Sequence, residues 1–308
     1  MNKLITLLFL FVCSFPVVGQ INEVFYQDGK IAERGELLDN LQHGLWEFFY
    51  SNGNLKESAN WSKGIADGSF KSYYPSGKIK LEGIYQKGSQ SGGWKAYYEG
   101  GSLNENANWK DNKLEGFFEA FYEDGVKLCK GIFSNDMQEG PWEFFYPNGI
   151  TQAKGNFKEG RMEENWSFFN DQGKLESKGS YKEGLQDGYF EFFFPDGTLE
   201  GKGDFEKGNR IGPWEFFYPN GITQAKGNFK EGRMEENWSF FNDQGKLESK
   251  GSYKEGLQDG YFEFFFPDGT LEGKGDFEKG NRIGFWEQFD SKGNSTIRTK
   301  YKLNYRSK

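Results

Sequence analysis

The chain has 308 residues, with 43 glycines and 58 aromatic residues (33 Phe, 16 Tyr, 9 Trp), so its core must be built largely from rings. Aromatic residues favour strands and each interior glycine costs a helix about 1 kcal/mol, which excludes a helical architecture. A net charge of -8 repels phosphate backbones and anionic headgroups, excluding nucleic acid and arguing against anionic membrane as partners.

In chain order, residues 1–19 read as a cleavable signal peptide. Lys3 precedes an apolar run from Leu4 to Val12, with small residues at Val17 and Gly19, a stretch too short to span a bilayer. Cleavage is expected before Gln20, placing the mature chain in the periplasm, cell envelope or medium. Cys13 raises lipidation as an alternative, but Val12 is larger than the residue that should precede a lipidated cysteine. Residues 20–308 are expected to form one array, in which Cys129 is the remaining cysteine and reads as a packed small thiol.

The array has a period of 24 residues, its repeats starting at 22, 46, 70, 94, 118, 142, 166, 190, 214, 238, 262 and 286. Position one is aromatic in all but the first: Trp46, Trp94, Trp142, Trp166, Trp214, Trp238 and Trp286, with Phe at the others. Position eight is always glycine, as at Gly53, Gly77, Gly125, Gly149 and Gly197. In Pro147-Asn148-Gly149 the order suits a type I turn, with the glycine left-handed in a bulge between two strands. Position nineteen is Gly, Asn or Asp in every repeat, the residues that tolerate positive φ, so it marks a second turn. Two turns per repeat predict an all-β fold, an elongated antiparallel β-meander of twelve hairpin repeats.

Simple alternation places position four, aromatic in every repeat from Phe25 to Phe289, opposite position ten and on one face with position sixteen. That row is the expected core. The position-one row then has the opposite parity. Either a bulge near the glycine at position twenty-three (Gly44, Gly68, Gly92) covers those rings, or the sheet has two aromatic faces. In the second case the tryptophans are a candidate partner-binding strip. Polar residues at the ends, Asn22, Asp290 and Thr299, read as caps, and residues 141–212 and 213–284 are identical.

His43 is the one histidine. It is expected to be a solvated strand residue. Glu163 and Glu164 are adjacent on a strand and point to opposite faces, so no catalytic pair, metal set or cofactor site is expected and the chain reads as a non-enzyme.

The pattern Gly44-Leu45-Trp46-Glu47-Phe48-Phe49-Tyr50-Ser51-Asn52-Gly53-Asn54-Leu55, repeated from Gly188 to Leu199, resembles the variant MORN repeat. Over residues 22–308 the chain is similar to the bacterial YwqK-family antitoxins. That resemblance implies an array that binds a partner protein, in a toxin-antitoxin or immunity-like setting. The leading expectation is an exported protein-binding or scaffold array with an unidentified protein partner. The alternative is a cell-wall polysaccharide binder that uses aromatic rows.

Overall fold

The computed structural model describes residues 20–302. The expected leader, with Cys13, lies outside them. The described residues contain strands and turns and no helix. The 24 strands, numbered in chain order, run from β1 (Gln20–Phe25) to β24 (Ser295–Tyr301). The chain divides after Leu114 into two bodies. In the first, β1 to β8 (Leu103–Lys110) pair in chain order, each antiparallel to the next. In the second, β9 (Lys113–Phe121) to β24 do the same. The fold class is thus all-β, an antiparallel meander of hairpins.

The first turn closes as its residues dictate. The Gly149 N–H donates to the Tyr146 carbonyl at 2.8 Å and the Tyr146 N–H to the Ile150 carbonyl at 2.8 Å, with Gly149 at φ 82°. Gly53, Gly77, Gly125 and Gly197 take the same left-handed conformation. At the second turn position nineteen is left-handed in every described repeat, and so is the non-glycine residue before it, as at Lys63, Glu159 and Glu255. Two positive φ values make this a two-residue type I′ hairpin, whose twist matches the flanking strands. The strain at the first of them is offset from outside the turn. The Glu159 N–H donates to the Glu139 carboxylate at 3.0 Å and the Glu183 N–H to Glu163 at 2.8 Å. The acid at position twenty-two is therefore a cap for the turn that follows.

Two bulges decide which side chains share a face. Between β11 (Met137–Phe145) and β12 (Thr151–Lys158), Phe144 pairs with Ala153 but Phe145 with Thr151, so Gln152 is an extra residue that reverses parity. Between β12 and β13 (Arg161–Phe169), Lys154 pairs with Ser167 but Asn156 with Glu163. This is the bulge near position twenty-three, where Gly140 has φ 64° and Glu164 φ 58°. Positions one, three, twelve, fourteen and sixteen consequently lie on one face, the ring face. Positions two, four, thirteen and fifteen lie on the other. The expected core is corrected accordingly. Position four does pair with position ten, but it is half-buried, and position sixteen joins the tryptophans instead because of the extra residue at Gln152.

The core is the position-one row. Trp166 is 2% exposed. Its indole meets Phe157 edge-on at 5.0 Å, stacks on Phe144 and Phe168 at 6.3 and 5.9 Å, and donates Nε1–H to the Asn156 carbonyl at 3.0 Å. Its floor is Gly155, position fourteen of the preceding repeat, where any Cβ would overlap the indole carbons. Glycine at position fourteen lies beneath every tryptophan of this row, and beneath Phe190 and Phe262 as well. Gly35, Gly83, Gly131, Gly203, Gly227 and Gly275 each lie against the tryptophan of the next repeat. Alanine stands only where that ring is phenylalanine, as Ala59 paired with Phe70.

Three outcomes follow. Trp166→Ala should cost about 3–5 kcal/mol, the usual loss for a buried large aromatic. Gly155→Ala should cost about 1–3 kcal/mol by overpacking, and adding Trp166→Phe should recover part of that loss in denaturant melts. Deleting residues 213–284 joins Gly212 to Phe285 and recreates the Gly284 to Phe285 junction. Calorimetry should therefore show a folded chain with a smaller unfolding enthalpy, since each repeat is held by its neighbours.

Candidate functional site

The seven tryptophans do not form an exposed strip. Trp46, Trp94, Trp142, Trp166, Trp214, Trp238 and Trp286 are 1–3% exposed, because the second bulge turns them over the glycine floor and the neighbouring rings close the sides. What the ring face leaves partly accessible is the flanking rows, such as Phe144, Phe157, Phe168 and Tyr181. Gly53, Gly77, Gly125, Gly149 and Gly197 lie at hairpin tips and serve the turns. Glu163 and Glu164 are also structural, since Glu164 accepts a hydrogen bond from Asn156 at 2.7 Å. His43 is half-buried rather than solvated, with its Nδ1 buried and unpartnered.

The opposite face carries an ordered row of charge. In the second body the residues in register across successive strands are Glu119, Lys130, Glu143, Lys154, Ser167, Lys178, Glu191 and Lys202. The row continues through Glu215, Lys226, Ser239, Lys250, Glu263, Lys274, Glu287 and Arg298. Signs alternate except at the two serines. Ion pairs form at Lys130–Glu143 (2.8 Å), Lys178–Glu191 (2.7 Å), Lys202–Glu215 (3.0 Å) and Lys250–Glu263 (2.7 Å). The hydrogen bond from Lys130 holds the Glu143 carboxyl below its ordinary value. The lysines also lie over the position-four rings, Lys130 5.7 Å from the Phe145 centroid and Lys202 5.4 Å from Phe217. A cation over a ring is attracted to its quadrupole, so each lysine covers an apolar ring while pairing with an acid.

Concave sites sit beside this row. A groove of about 620 Å³ has Phe117, Lys130, Ile132, Pro141, Trp142, Glu143, Lys154, Asn156, Asn165 and Ser167 in its lining, with Gly131 and Gly155. A second, of about 570 Å³, recurs 72 residues on, with Tyr189 and Asp204 in place of Phe117 and Ile132. A third, of about 530 Å³, includes Ser239, Lys250, Tyr261 and Glu263. Phe117, Ile132, Tyr189 and Tyr261 are among the most exposed large apolar residues, at 43–50%. Sequence reasoning missed this face. Its signal was available as Glu at position two and Lys at position thirteen, but it becomes a row only once the two-residue turn fixes the register.

The family model of the MORN repeat variant matches residues 42–63, 66–87, 138–159, 186–207, 210–231 and 258–279. The chain carries MORN-variant repeats. Each match spans a whole hairpin about the first turn and begins at position twenty-one, so the ring at position one falls inside the matched unit while its floor at position fourteen comes from the hairpin before it. No curated protein matches. Among solved structures, the TCP10 domain of Danio rerio CPAP in complex with a peptide of Danio rerio STIL is 12% identical, with 92% of this chain and all of that one covered and a TM-score of 0.22. The TcdB2-TccC3 structure is 12% identical, with 90% and 16% covered and a TM-score of 0.19. The Photorhabdus luminescens Tc holotoxin pore is 10% identical, with 93% and 20% covered and a TM-score of 0.18.

The repeats of the first body place acids on the ring face. Glu57 and Glu105 occupy position twelve, where the second body has small residues such as Cys129, Ala153 and Gly201. Glu57 pairs in register with Phe48 and Ser72, and Glu105 with Ala96. Burial pushes both carboxyls above their ordinary value of 4.5. A folded state with a raised carboxyl pKa binds the proton more tightly than the unfolded chain. These two groups therefore penalise folding at neutral pH, and the penalty is relieved as pH falls through the raised value to below the ordinary one. Glu57→Gln with Glu105→Gln should raise the melting temperature at neutral pH, and the gain over the wild type should vanish in acid.

Proposed function

We propose that the chain is a non-enzymatic, exported protein-binding or scaffold array that displays several copies of one site to an unidentified protein partner. The observation that carries this reading is the recurrence of the groove with nearly the same lining 72 residues apart. Copies of a site on one framework raise avidity without any new contact, and such an array suits a partner that is itself repeated or extended. The apolar rim at Phe117, Ile132 and Pro141, set beside paired charges, is the composition of a polar-rimmed protein interface. Export is read from the apolar run at residues 4–12. The similarity to YwqK-family antitoxins supports an immunity-like role, in which the bound partner is a toxin.

A cell-wall polysaccharide is the second reading, favoured by the half-exposed rings of Tyr189 and Tyr261 beside amides and hydroxyls. Purified full-length chain should be crosslinked through its lysines in an envelope extract and mapped by mass spectrometry, alongside sedimentation with protease-treated cell wall. The expected result is partner peptides joined at Lys130, Lys154, Lys202 or Lys226, with weaker capture by the chain lacking residues 213–284. Sedimentation with protein-free wall and no crosslinked partner would instead establish the polysaccharide reading.

A further inference from the structure

We propose that the two serine rungs of the charge row, Ser167 and Ser239, are the places where a carboxylate of an acidic, extended segment of the partner protein is bound. This deepens the protein-binding reading and rests on it. The repeats themselves identify the chemistry. At position two of the second body's other repeats stands a glutamate, paired with the lysine of the strand before it at Lys130, Lys178, Lys202 and Lys250. Serine removes the charge and shortens the side chain while leaving a hydroxyl donor.

Lys154 and Lys226 are the lysines whose following strand offers serine in place of an acid; on the other side Glu143 and Glu215 lie in register with them, and Lys154 acts on the Glu143 carboxyl through space. Among the described residues neither has a carboxylate within ion-pair distance, whereas their counterparts do. Both ammonium groups lie over rings, 5.6 Å from the Phe169 centroid and 5.7 Å from Phe241, and both line the grooves beside their serines. A partner's Asp or Glu entering the first groove would meet Lys154 and Ser167 much as Glu143 meets Lys130. Apolar neighbours on the same segment would rest on Phe117, Ile132 and Pro141. The two sites are not equal. Asp204 replaces Ile132 in the second groove and repels an incoming carboxylate, so the site at Ser167 is the tighter one.

The test uses the full chain and a short fluorescein-labelled peptide in which glutamate alternates with leucine, with a glutamine-for-glutamate peptide as control. Anisotropy should show the acidic peptide binding about tenfold more tightly than the control, a difference of about 1.4 kcal/mol, and weakening with added salt. Ser167→Glu with Ser239→Glu supplies both carboxylates internally. It should abolish that preference while keeping the melting temperature, with S167E alone costing more than S239E. If the double variant fails to fold, Lys154→Gln with Lys226→Gln should give the same loss. Equal binding of both peptides, or an unchanged preference in the variants, would overturn the assignment. So would tighter binding of polygalacturonate than of the peptide, which would give the rungs to an acidic polysaccharide. Partner crosslinks that persist in the double glutamate variant would leave the array reading standing and remove the serine rungs from it.

Discussion

Everything in this fold depends on an indole lying flat on a glycine of the preceding repeat. Among the described residues each body consists of strands and turns without helices, so it has to bury its apolar surface among its own neighbouring strands. Here the ring at position one is floored by backbone and walled by the rings at positions three and sixteen, and at Trp142, Trp166, Trp214 and Trp238 it is tied through Nε1 to a carbonyl ten residues earlier. The arrangement works only if position fourteen has no side chain beneath a tryptophan, and the sequence keeps that condition at all seven. Where the ring shrinks to phenylalanine, alanine becomes admissible, as at Ala59. The tryptophan of one repeat is thus coupled to the glycine of the repeat before it.

The two bulges give that packed face a partner of opposite character. Because parity changes at Gln152, the rings at position four are separated from the core and face a row of lysines and glutamates. Exposed ion pairs contribute only about 0.2–1 kcal/mol each, so the row is not what holds the fold. Its effect is to cover half-buried rings with charge and to fix a regular electrostatic pattern along the strands. The serines interrupt that pattern only in the duplicated blocks, as one position copied into two places.

The period, the two turns and the strand count were legible because the sequence marks them with residues of restricted chemistry: glycine at position eight, and Gly, Asn or Asp at position nineteen. The bulge at position twenty-three was half-legible through Gly44, Gly68 and Gly92. The bulge at Gln152 was not, since no residue there demands an unusual backbone, and an argument from alternation alone therefore placed Phe145 in the core in place of Trp142. The capping acids were hidden for a related reason. Glu139 and Glu163 look like solvated strand residues until one knows that the residue they cap is left-handed. The candidate site was the least visible, because a row of charges across strands depends on register and register depends on both bulges.

The tyrosines at position five tie the repeats in the other direction. Tyr122 and Tyr146 donate their hydroxyls to the carbonyls of Phe145 and Phe169, one repeat ahead, at 3.0 Å, while the indoles reach one repeat back. The repeats that start at Trp142 and Trp214 carry both contacts and are latched to both neighbours. Pulled along the direction in which its strands stack, the second body would unzip rather than shear, with the lost latches exposing the next indole. A hairpin repeat of 24 residues would release about 80 Å of chain per event, so the array would yield in steps and absorb work over a long extension.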